Sequence, residues 1–386
     1  MQLPKAKKIS KELKIHNDIR IDNYYWLNDK ENPEVTDYLN TENAYTKDMM
    51  QHTEGFQKDL FEEMKGRIKE DDESVPYKLN GYWYITRFEK GNDYPIYARK
   101  KDNLEAEEEI LFDCNLMAKD FNYFNLGSIA ISPDNKLAAF SVDTVSRRKY
   151  ALQIKNLETG EVLADKVDNT AGNAVWADDN KTLFYTKQDD ETLRSDKIFR
   201  HSLGSQGNDT LVFNETDETF GTSVYKSKSK KYIIIVSYST LTMEFQTLRA
   251  DDPNGEFKVF HPRTRGLDYS IAHYGNDFYV LTNKDEATNF KLMKVSEGDT
   301  SADNWKEFIP HRAEVLLQGI DIFKEYYVLS ERKNGLNELK IVKWDGSDAY
   351  YLPFDSETYT ANVGTNPDID SEELRYSFNS MKTPGS

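Results

Sequence analysis

The stretch SIAISPDNKLAAF, residues 128–140, decides the fold. An apolar run at residues 128–131 is followed by Ser-Pro-Asp-Asn, and a second apolar run follows at residues 137–140. Pro, Asp and Asn favour tight turns, and short apolar runs on both sides of a turn are typical of paired strands. The stretch therefore predicts a β-hairpin.

The same pattern recurs along most of the chain. Each copy has a short turn followed by an apolar, aromatic-rich run, and the turns lie roughly 45 to 54 residues apart. This spacing is typical of propeller blades. The recurring turns are Asn80-Gly81, Asp134-Asn135, Asp179-Asn180, Ser229-Lys230, Gly275-Asn276 and Lys324-Glu325.

Two further strands are predicted after each hairpin. In the unit that starts at residue 128 they are residues 150–154 and 161–163, and Gly160 permits the turn between them. Four strands per unit at this period predict a blade. Other third strands are predicted at residues 197–200, 245–248, 289–292 and 338–341, and other fourth strands at 210–213, 257–260 and 350–352.

One more step of the period leads to Ser371-Glu372. Residues 361–366 and 374–378 then become the first two strands of a seventh unit, and no third or fourth strand follows. We therefore expect an all-β, seven-bladed β-propeller whose seventh blade is incomplete.

The first 75 residues have a different pattern. Asn32 followed by Pro33 is typical of a helix N-terminus. Apolar residues then fall on one face of each of two predicted helices, with Val35 in the first and Phe56 in the second. We expect an N-terminal helical arm at residues 1–75 and the propeller at residues 76–386.

Composition excludes several classes of protein. The net charge of −17 disfavours nucleic acid and anionic membrane as partners. No apolar run approaches the roughly 18 residues of a membrane helix, and the basic N-terminus lacks the apolar segment of a signal peptide. The single cysteine, Cys114, lies in a strand-like stretch and is expected to be a buried thiol in a reducing compartment. These features favour a cytoplasmic location, and a periplasmic one would require a leader that has been removed.

The search for chemistry identifies no catalytic, cofactor-binding or metal-binding residue. Residues 204–207 and 221–225 do not match a Gly-x-Ser-x-Gly nucleophile motif, and no phosphate-binding glycine loop occurs. The alternating carboxylates of residues 368–372 lack the glycine and terminal glutamate of a calcium loop. Six scattered histidines have no metal-ligand spacing. They are His16, His52, His201, His261, His273 and His311.

A set of motifs in order along the whole chain resembles oligopeptidase B (protease II), a branch of the prolyl oligopeptidase family. One departure is Asn17, because the family usually has Gly after the histidine. The motifs are DIRIDNYYWL at 18–27, EMKGRIKEDD at 63–72, SVP at 74–76, YWY at 82–84, YPIY at 94–97, SPD at 132–134, RRKY at 147–150, NGL at 334–336, LRY at 374–376 and MKTP at 381–384.

The resemblance implies a serine peptidase in which an α/β-hydrolase domain covers a seven-bladed propeller. The hydrolase bulk, with its Ser-Asp-His triad, is absent from this chain, so we expect the chain alone to be inactive. The family cleaves short peptides after basic residues, and its propeller admits peptides by size. The crossing from arm to propeller is then a candidate hinge, formed by Asp72, Ser74, Val75, Pro76 and Tyr77.

Two other functions remain open. A propeller could persist as a stand-alone interaction scaffold, or carry paired carboxylates at its channel as some glycosidases do. A truncated seventh blade would expose unpaired strand edges, and the apolar stripe of the arm would lack its covering surface, so we expect self-association or a mobile arm.

Overall fold

The structure, a computed structural model, describes residues 2–205 and 209–385. The chain divides into two compact units, Met1–Glu70 and Asp71–Ser386. The first is largely helical, and the regular secondary structure of the second is almost entirely antiparallel strand. Among the described residues, no helix is long and apolar enough to cross a membrane.

The first unit begins with a hairpin that the sequence analysis did not predict. Strands β1 (Lys11–Ile15) and β2 (Asp18–Asp22) pair through a two-residue turn. His16 and Asn17 form this turn with φ of 52° and 63°, the positive values that match the twist of a tight hairpin. The hairpin escaped prediction because its strands are short and largely exposed, so the alternation covers only two apolar residues in each, Leu13 and Ile15 in β1 and Ile19 and Ile21 in β2.

Two helices follow, α1 (Pro33–Met50) and α2 (Glu54–Gly66). The Asn32 side chain accepts a hydrogen bond from the Glu34 backbone N–H, which confirms the predicted cap. Val35 is buried, whereas the apolar stripe of α2 is exposed, with Phe56 at 68% and Phe61 at 62%.

The second unit contains the remaining strands, the short helix α3 (Cys114–Met117) and a 3-10 turn at Ala302–Asn304. In chain order the strands are β3 (Asp72–Glu73), β4 (Tyr77–Leu79), β5 (Tyr82–Phe88), β6 (Ile96–Lys101), β7 (Glu108–Asp113), β8 (Asn125–Ile131), β9 (Leu137–Asp143), β10 (Tyr150–Asn156), β11 (Val162–Trp176), β12 (Thr182–Gln188), β13 (Ser195–Ser202), β14 (Thr210–Asn214), β15 (Gly221–Lys226), β16 (Tyr232–Tyr238), β17 (Met243–Arg249), β18 (Lys258–Val259), β19 (Tyr269–Tyr274), β20 (Asp277–Thr282), β21 (Lys291–Ser296), β22 (Lys306–Ile309), β23 (Leu316–Ile322), β24 (Tyr326–Lys333), β25 (Leu336–Lys343), β26 (Ala349–Tyr351), β27 (Tyr359–Val363) and β28 (Tyr376–Ser380).

These strands form consecutive antiparallel groups that follow the predicted repeat. Group 1 is β3–β7, group 2 is β8–β10 with the first half of β11, and group 3 is the second half of β11 with β12–β14. Groups 4, 5 and 6 are β15–β18, β19–β22 and β23–β26, and group 7 is β27–β28.

Strand β11 belongs to two groups, which the sequence analysis did not predict. Its first half pairs with β10 and its second half with β12, and the register shifts between Thr170 and Ala174. Asn169 and Gly172 have φ of 59° and 97° at this point. The outer strand of group 2 therefore bends at these residues and continues as the inner strand of group 3 without an intervening loop, so the expected end at residue 163 is wrong.

The predicted inner turns have a common geometry. The backbone N–H of Ser132 donates to the Leu137 carbonyl at 2.9 Å, and Ser227 donates to the Tyr232 carbonyl at 2.8 Å. A residue with positive φ closes each turn, Asn135 at 62° and Lys230 at 63°. These bonds confirm the hairpin predicted from residues 128–140 and its copy in group 4.

Group 7 lies two residues from the predicted positions. Its strands are Tyr359–Val363 and Tyr376–Ser380. Arg375 fixes the intervening loop, because its Nη1 donates to the Thr365 carbonyl at 2.9 Å and its Nη2 donates to the Val75 carbonyl. The last strand group therefore contacts the start of the first group.

The core lies between the faces of neighbouring groups. Phe184 and Ile198 of group 3 pack with Val224, Ile233 and Ile235 of group 4, and all five are at most 2% exposed. Burying each such side chain stabilises the fold by about 1.5–3 kcal/mol. Each group therefore depends on its neighbours for a covered apolar face.

Candidate functional site

A cavity of about 670 Å³ lies at the inner turns of the second unit. Groups 1, 2, 3, 4, 6 and 7 all contribute to its wall, so it lies where the inner strands converge. Apolar side chains such as Ile129 and Ile131 form much of the wall, and charged side chains from the turns form the rest. None of these charged residues was predicted from the sequence to belong to a functional site.

The segment Lys226–Lys231, KSKSKK, supplies most of the charge. It is the inner turn of group 4, and the Ser227 side chain accepts a hydrogen bond from the Tyr232 backbone N–H at 3.0 Å. Lys226, Ser227, Lys228 and Lys230 of this segment line the cavity. A basic run in a chain of net charge −17 was the available sequence signal.

The three lysines reach three other strand groups. Lys226 Nζ donates to Asp178 Oδ1 of group 3 at 2.6 Å. Lys228 Nζ donates to Asp321 Oδ1 of group 6 at 2.7 Å. Lys230 Nζ donates to Asn80 Oδ1 of group 1 at 2.6 Å. We call this set of six side chains the lysine latch, because one turn bridges groups 1, 3 and 6 across the cavity.

Burial shifts the pKa values of Lys228 and Asp321, which form an ion pair. It lowers the pKa of Lys228, while Asp321 opposes that shift. Burial also raises the pKa of Asp321, and Lys228 opposes that shift. The Lys228 ammonium lies 3.6 Å from the centroid of the Phe323 ring, a favourable cation–π position. Separating such a pair leaves each charge partly desolvated and without its partner. The ion pair therefore favours the arrangement in which the turn of group 4 contacts group 6.

A second network holds the turn in place. His273 lies 2.9 Å from Ser229 Oγ through Nδ1 and 3.1 Å from Glu297 Oε2 through Nε2. Lys231 Nζ donates to both Glu297 oxygens, at 2.7 and 2.6 Å. Serine, histidine and glutamate in this order are the residue types of a hydrolase triad. Ser229 does not line the cavity in the described part of the chain, so we assign the network to positioning the turn.

The candidate hinge residues lie at the start of the second unit. Asp72 belongs to β3, and Ser74 exchanges hydrogen bonds with Thr86 of β5, at 2.8 Å through its backbone N–H and 3.0 Å through Oγ. Val75 is 66% exposed. Tyr77 begins β4 and stacks on Tyr84 with ring centroids 5.3 Å apart. Most of the segment is thus bonded to group 1, and its role as a hinge stays a prediction, as does the domain boundary at residue 75.

The other residues considered from the sequence are dispersed. Cys114 is buried, as predicted, and burial raises the pKa of its thiol to about 12. His201 lies between Asp165 and Asp209, away from the cavity. No group of three potential metal ligands occurs among residues 2–205 and 209–385. The residues tested as a nucleophile motif at 204–207 extend outside the described residues.

Comparison with known proteins gives a consistent family. A sequence model described as the N-terminal beta-propeller domain of prolyl oligopeptidase matches residues 4–386. Dipeptidyl aminopeptidase BI of Pseudoxanthomonas mexicana is 40% identical over 96% of the chain and 53% of that protein. Protease 2 of Moraxella lacunata is 32% identical over 100% of the chain and 56% of that protein. The chain thus spans about half the length of these curated relatives.

Solved structures give the same result. Oligopeptidase B from Leishmania major superposes with a TM-score of 0.91 at 27% identity, over 100% of the chain and 58% of that chain. Oligopeptidase B from Trypanosoma brucei with covalently bound antipain has a TM-score of 0.90 at 28% identity, with the same coverage. The expected mainly β architecture and the expected family are confirmed.

Proposed function

Because the chain belongs to the prolyl oligopeptidase family through the N-terminal β-propeller domain of that family, we propose that it controls access to a serine peptidase. The peptidase hydrolyses short peptides after basic residues, and its catalytic groups lie outside this chain. The peptidase names of the two curated relatives and the likeness to oligopeptidase B support this proposal.

The seven strand groups are, in this proposal, seven blades, and group 7 is a blade of which two strands are present. The helical arm packs with the catalytic domain through the exposed stripe of α2. The crossing at Asp72, Ser74, Val75, Pro76 and Tyr77 acts as a hinge when the two parts open. The protein works in the cytoplasm, where its buried Cys114 stays reduced.

The lysine latch is the observation that carries the access role. Its hydrogen bonds connect side chains of groups 1, 3, 4 and 6 around one cavity. In this proposal the cavity opens towards the peptidase, and the positions of these side chains set the width of the opening. A flexible peptide can pass such an opening when single side chains move, whereas a folded protein cannot. This arrangement supports the proposed selection of peptides by size.

The first test uses the purified 386-residue chain alone. We expect no cleavage of a chromogenic peptide that ends in arginine, because nucleophilic attack requires a serine and a base that this chain does not supply. Absorbance of the released chromophore measures turnover. Turnover that a serine-directed inhibitor abolishes would contradict the proposal.

The gene downstream of codon 386 provides a parallel test, since an in-frame Gly-x-Ser-x-Gly motif supports the peptidase and a stop codon favours the scaffold.

The second test changes the latch in the full-length peptidase. Replacing both Lys228 and Asp321, as K228M with D321L, removes the ion pair without leaving a lone buried charge. We expect kcat/KM for a peptide of about 40 residues to rise severalfold relative to that for a pentapeptide, because the opening widens. Lys181→Met, in the equivalent turn of group 3, is the matched control. An unchanged ratio in the latch variant would refute the size filter.

A further inference from the structure

The cavity behind the latch has the features of a ligand site. We propose that it binds a small monocarboxylate with an apolar body, such as the C-terminal residue of a short peptide, with Lys230 as the partner of the carboxylate. The proposal depends on the function proposed above only in naming a peptide as the source of the carboxylate.

The charges of the latch are unequal. Three ammonium groups face two carboxylates, because Lys226 pairs with Asp178 and Lys228 pairs with Asp321. Among the described contacts, Lys230 has a neutral amide, Asn80, as its side-chain partner. A cation in a partly enclosed site is stabilised by a negative partner. Lys230 is thus the latch lysine without an ion-pair partner among the described residues, which favours a single negative charge, and the negative charges of Asp178, Asp321 and the nearby Asp368 disfavour a phosphate dianion.

The rest of the cavity is apolar. It extends from the latch between groups 1 and 2, where Ile85, Ala98, Leu111, Ile129 and Ile131 line it. Its volume of about 670 Å³ lies within the usual range of small-molecule pockets, about 300–1,000 Å³. An aliphatic side chain or a short hydrocarbon chain fills such a space favourably.

One polar group inside this apolar part lacks an acceptor. The Tyr84 hydroxyl is buried, and its polar neighbour is the Arg99 guanidinium, which can only donate, so the hydroxyl hydrogen has no acceptor among the described residues. Burial raises the pKa of Tyr84 to about 12, so the hydroxyl keeps its proton at neutral pH. A buried hydroxyl that donates no hydrogen bond is costly, and a ligand carbonyl that accepts a hydrogen bond from it would remove that cost. A peptide offers both a carboxylate and such a carbonyl.

The test is calorimetric titration of the purified chain at about 20 mM salt, where screening is weak. Three probes separate the sources of the carboxylate. They are N-acetyl-alanyl-leucine as the free acid, the same dipeptide as its amide, and octanoate. Lys230→Met removes the charge with little change in size. Lys181→Met, an exposed lysine in the equivalent turn of group 3, is the control, and thermal unfolding verifies that both variants fold.

We expect the free acid to bind at least about tenfold more tightly than the amide, since a charge-assisted hydrogen bond is lost in the amide. We expect Lys230→Met to remove that difference and Lys181→Met to keep it. Binding of octanoate but not of the dipeptide would support the monocarboxylate site and overturn the peptide as its source. Equal binding of acid and amide to the unaltered chain, or binding that Lys230→Met leaves intact, would overturn the site. None of these results depends on whether the latch filters peptides by size.

Discussion

His273 connects two neighbouring strand groups at the scale of single residues. Burial lowers the pKa of its imidazole below the ordinary value of 6.5, while Glu297 opposes that shift and Lys231 adds to it. Two further titratable groups lie near the ring, Asp277, whose charge also opposes the shift, and Tyr232, whose ring centroid is 4.9 Å from that of the imidazole. The neutral ring is thus the form that the fold favours.

The sign of the pH dependence follows from this shift. Below about pH 6.5 the unfolded chain takes up a proton at His273 before the folded chain does. The contribution of His273 to stability is therefore present above pH 6.5 and is lost as the pH falls towards the lower pKa of the folded state. Glu297, whose pKa is lowered in the fold despite its burial, loses its contribution at more acidic pH.

We predict that His273→Gln reduces the fall in melting temperature between pH 7.5 and pH 5.5. The variant is also less stable than the unaltered chain at pH 7.5, because the bonds to Ser229 and Glu297 change. Thermal unfolding across this range measures both effects. If the melting temperatures of the two proteins fall by the same amount between pH 7.5 and pH 5.5, His273 is not the titrating group.

At the scale of an element, β11 is the strand that distinguishes this chain from a simple row of hairpins. Gly172 permits the bend between its two halves, with φ of 97°. Its carbonyl accepts a hydrogen bond from Ser141 Oγ at 2.6 Å. A Cβ at this position would lie 2.9 Å from the Tyr150 ring. The glycine is therefore required by both backbone conformation and space.

We predict that Gly172→Ala lowers the free energy of unfolding by about 2–4 kcal/mol, the sum of backbone strain and a clash in the core. Gly160→Ala is the matched control. Gly160 also has a positive φ, 77°, but a Cβ there would meet no atom within 4 Å, so we expect a loss of about 1 kcal/mol. Urea unfolding measures the difference. Equal losses would show that contact with Tyr150 is unimportant.

The apolar stripe of α2 leads to a prediction at the scale of the whole molecule. Phe56, Phe61 and Met64 are each at least 60% exposed, and exposed apolar stripes of this kind usually mark a contact surface. We predict that the 386-residue chain self-associates as its concentration rises, through this stripe or through group 7. Sedimentation velocity at several concentrations measures the association.

The variant Phe61→Ser separates the two surfaces. Weaker association of this variant would assign the contact to α2, and unchanged association would assign it to group 7. A single monomeric species for the unaltered chain at all concentrations would contradict the prediction.

The sequence by itself determined the repeat, the inner turns and the family. These depend on local preferences, such as Asn135 at positive φ, and on alternation within one strand, both of which are properties of neighbouring residues. The positions of most strands follow directly from that pattern. The hairpin at His16 and Asn17 and the continuous β11 were missed because their local patterns are weak.

Only the tertiary structure decided the candidate site. Lys228 and Asp321 are 93 residues apart, and Lys230 and Asn80 are 150 apart. No local rule relates such distant positions, because their approach depends on how successive strand groups pack. The segment KSKSKK has the composition of an ordinary solvated turn, and it becomes a latch because the inner turns of distant groups converge on one cavity.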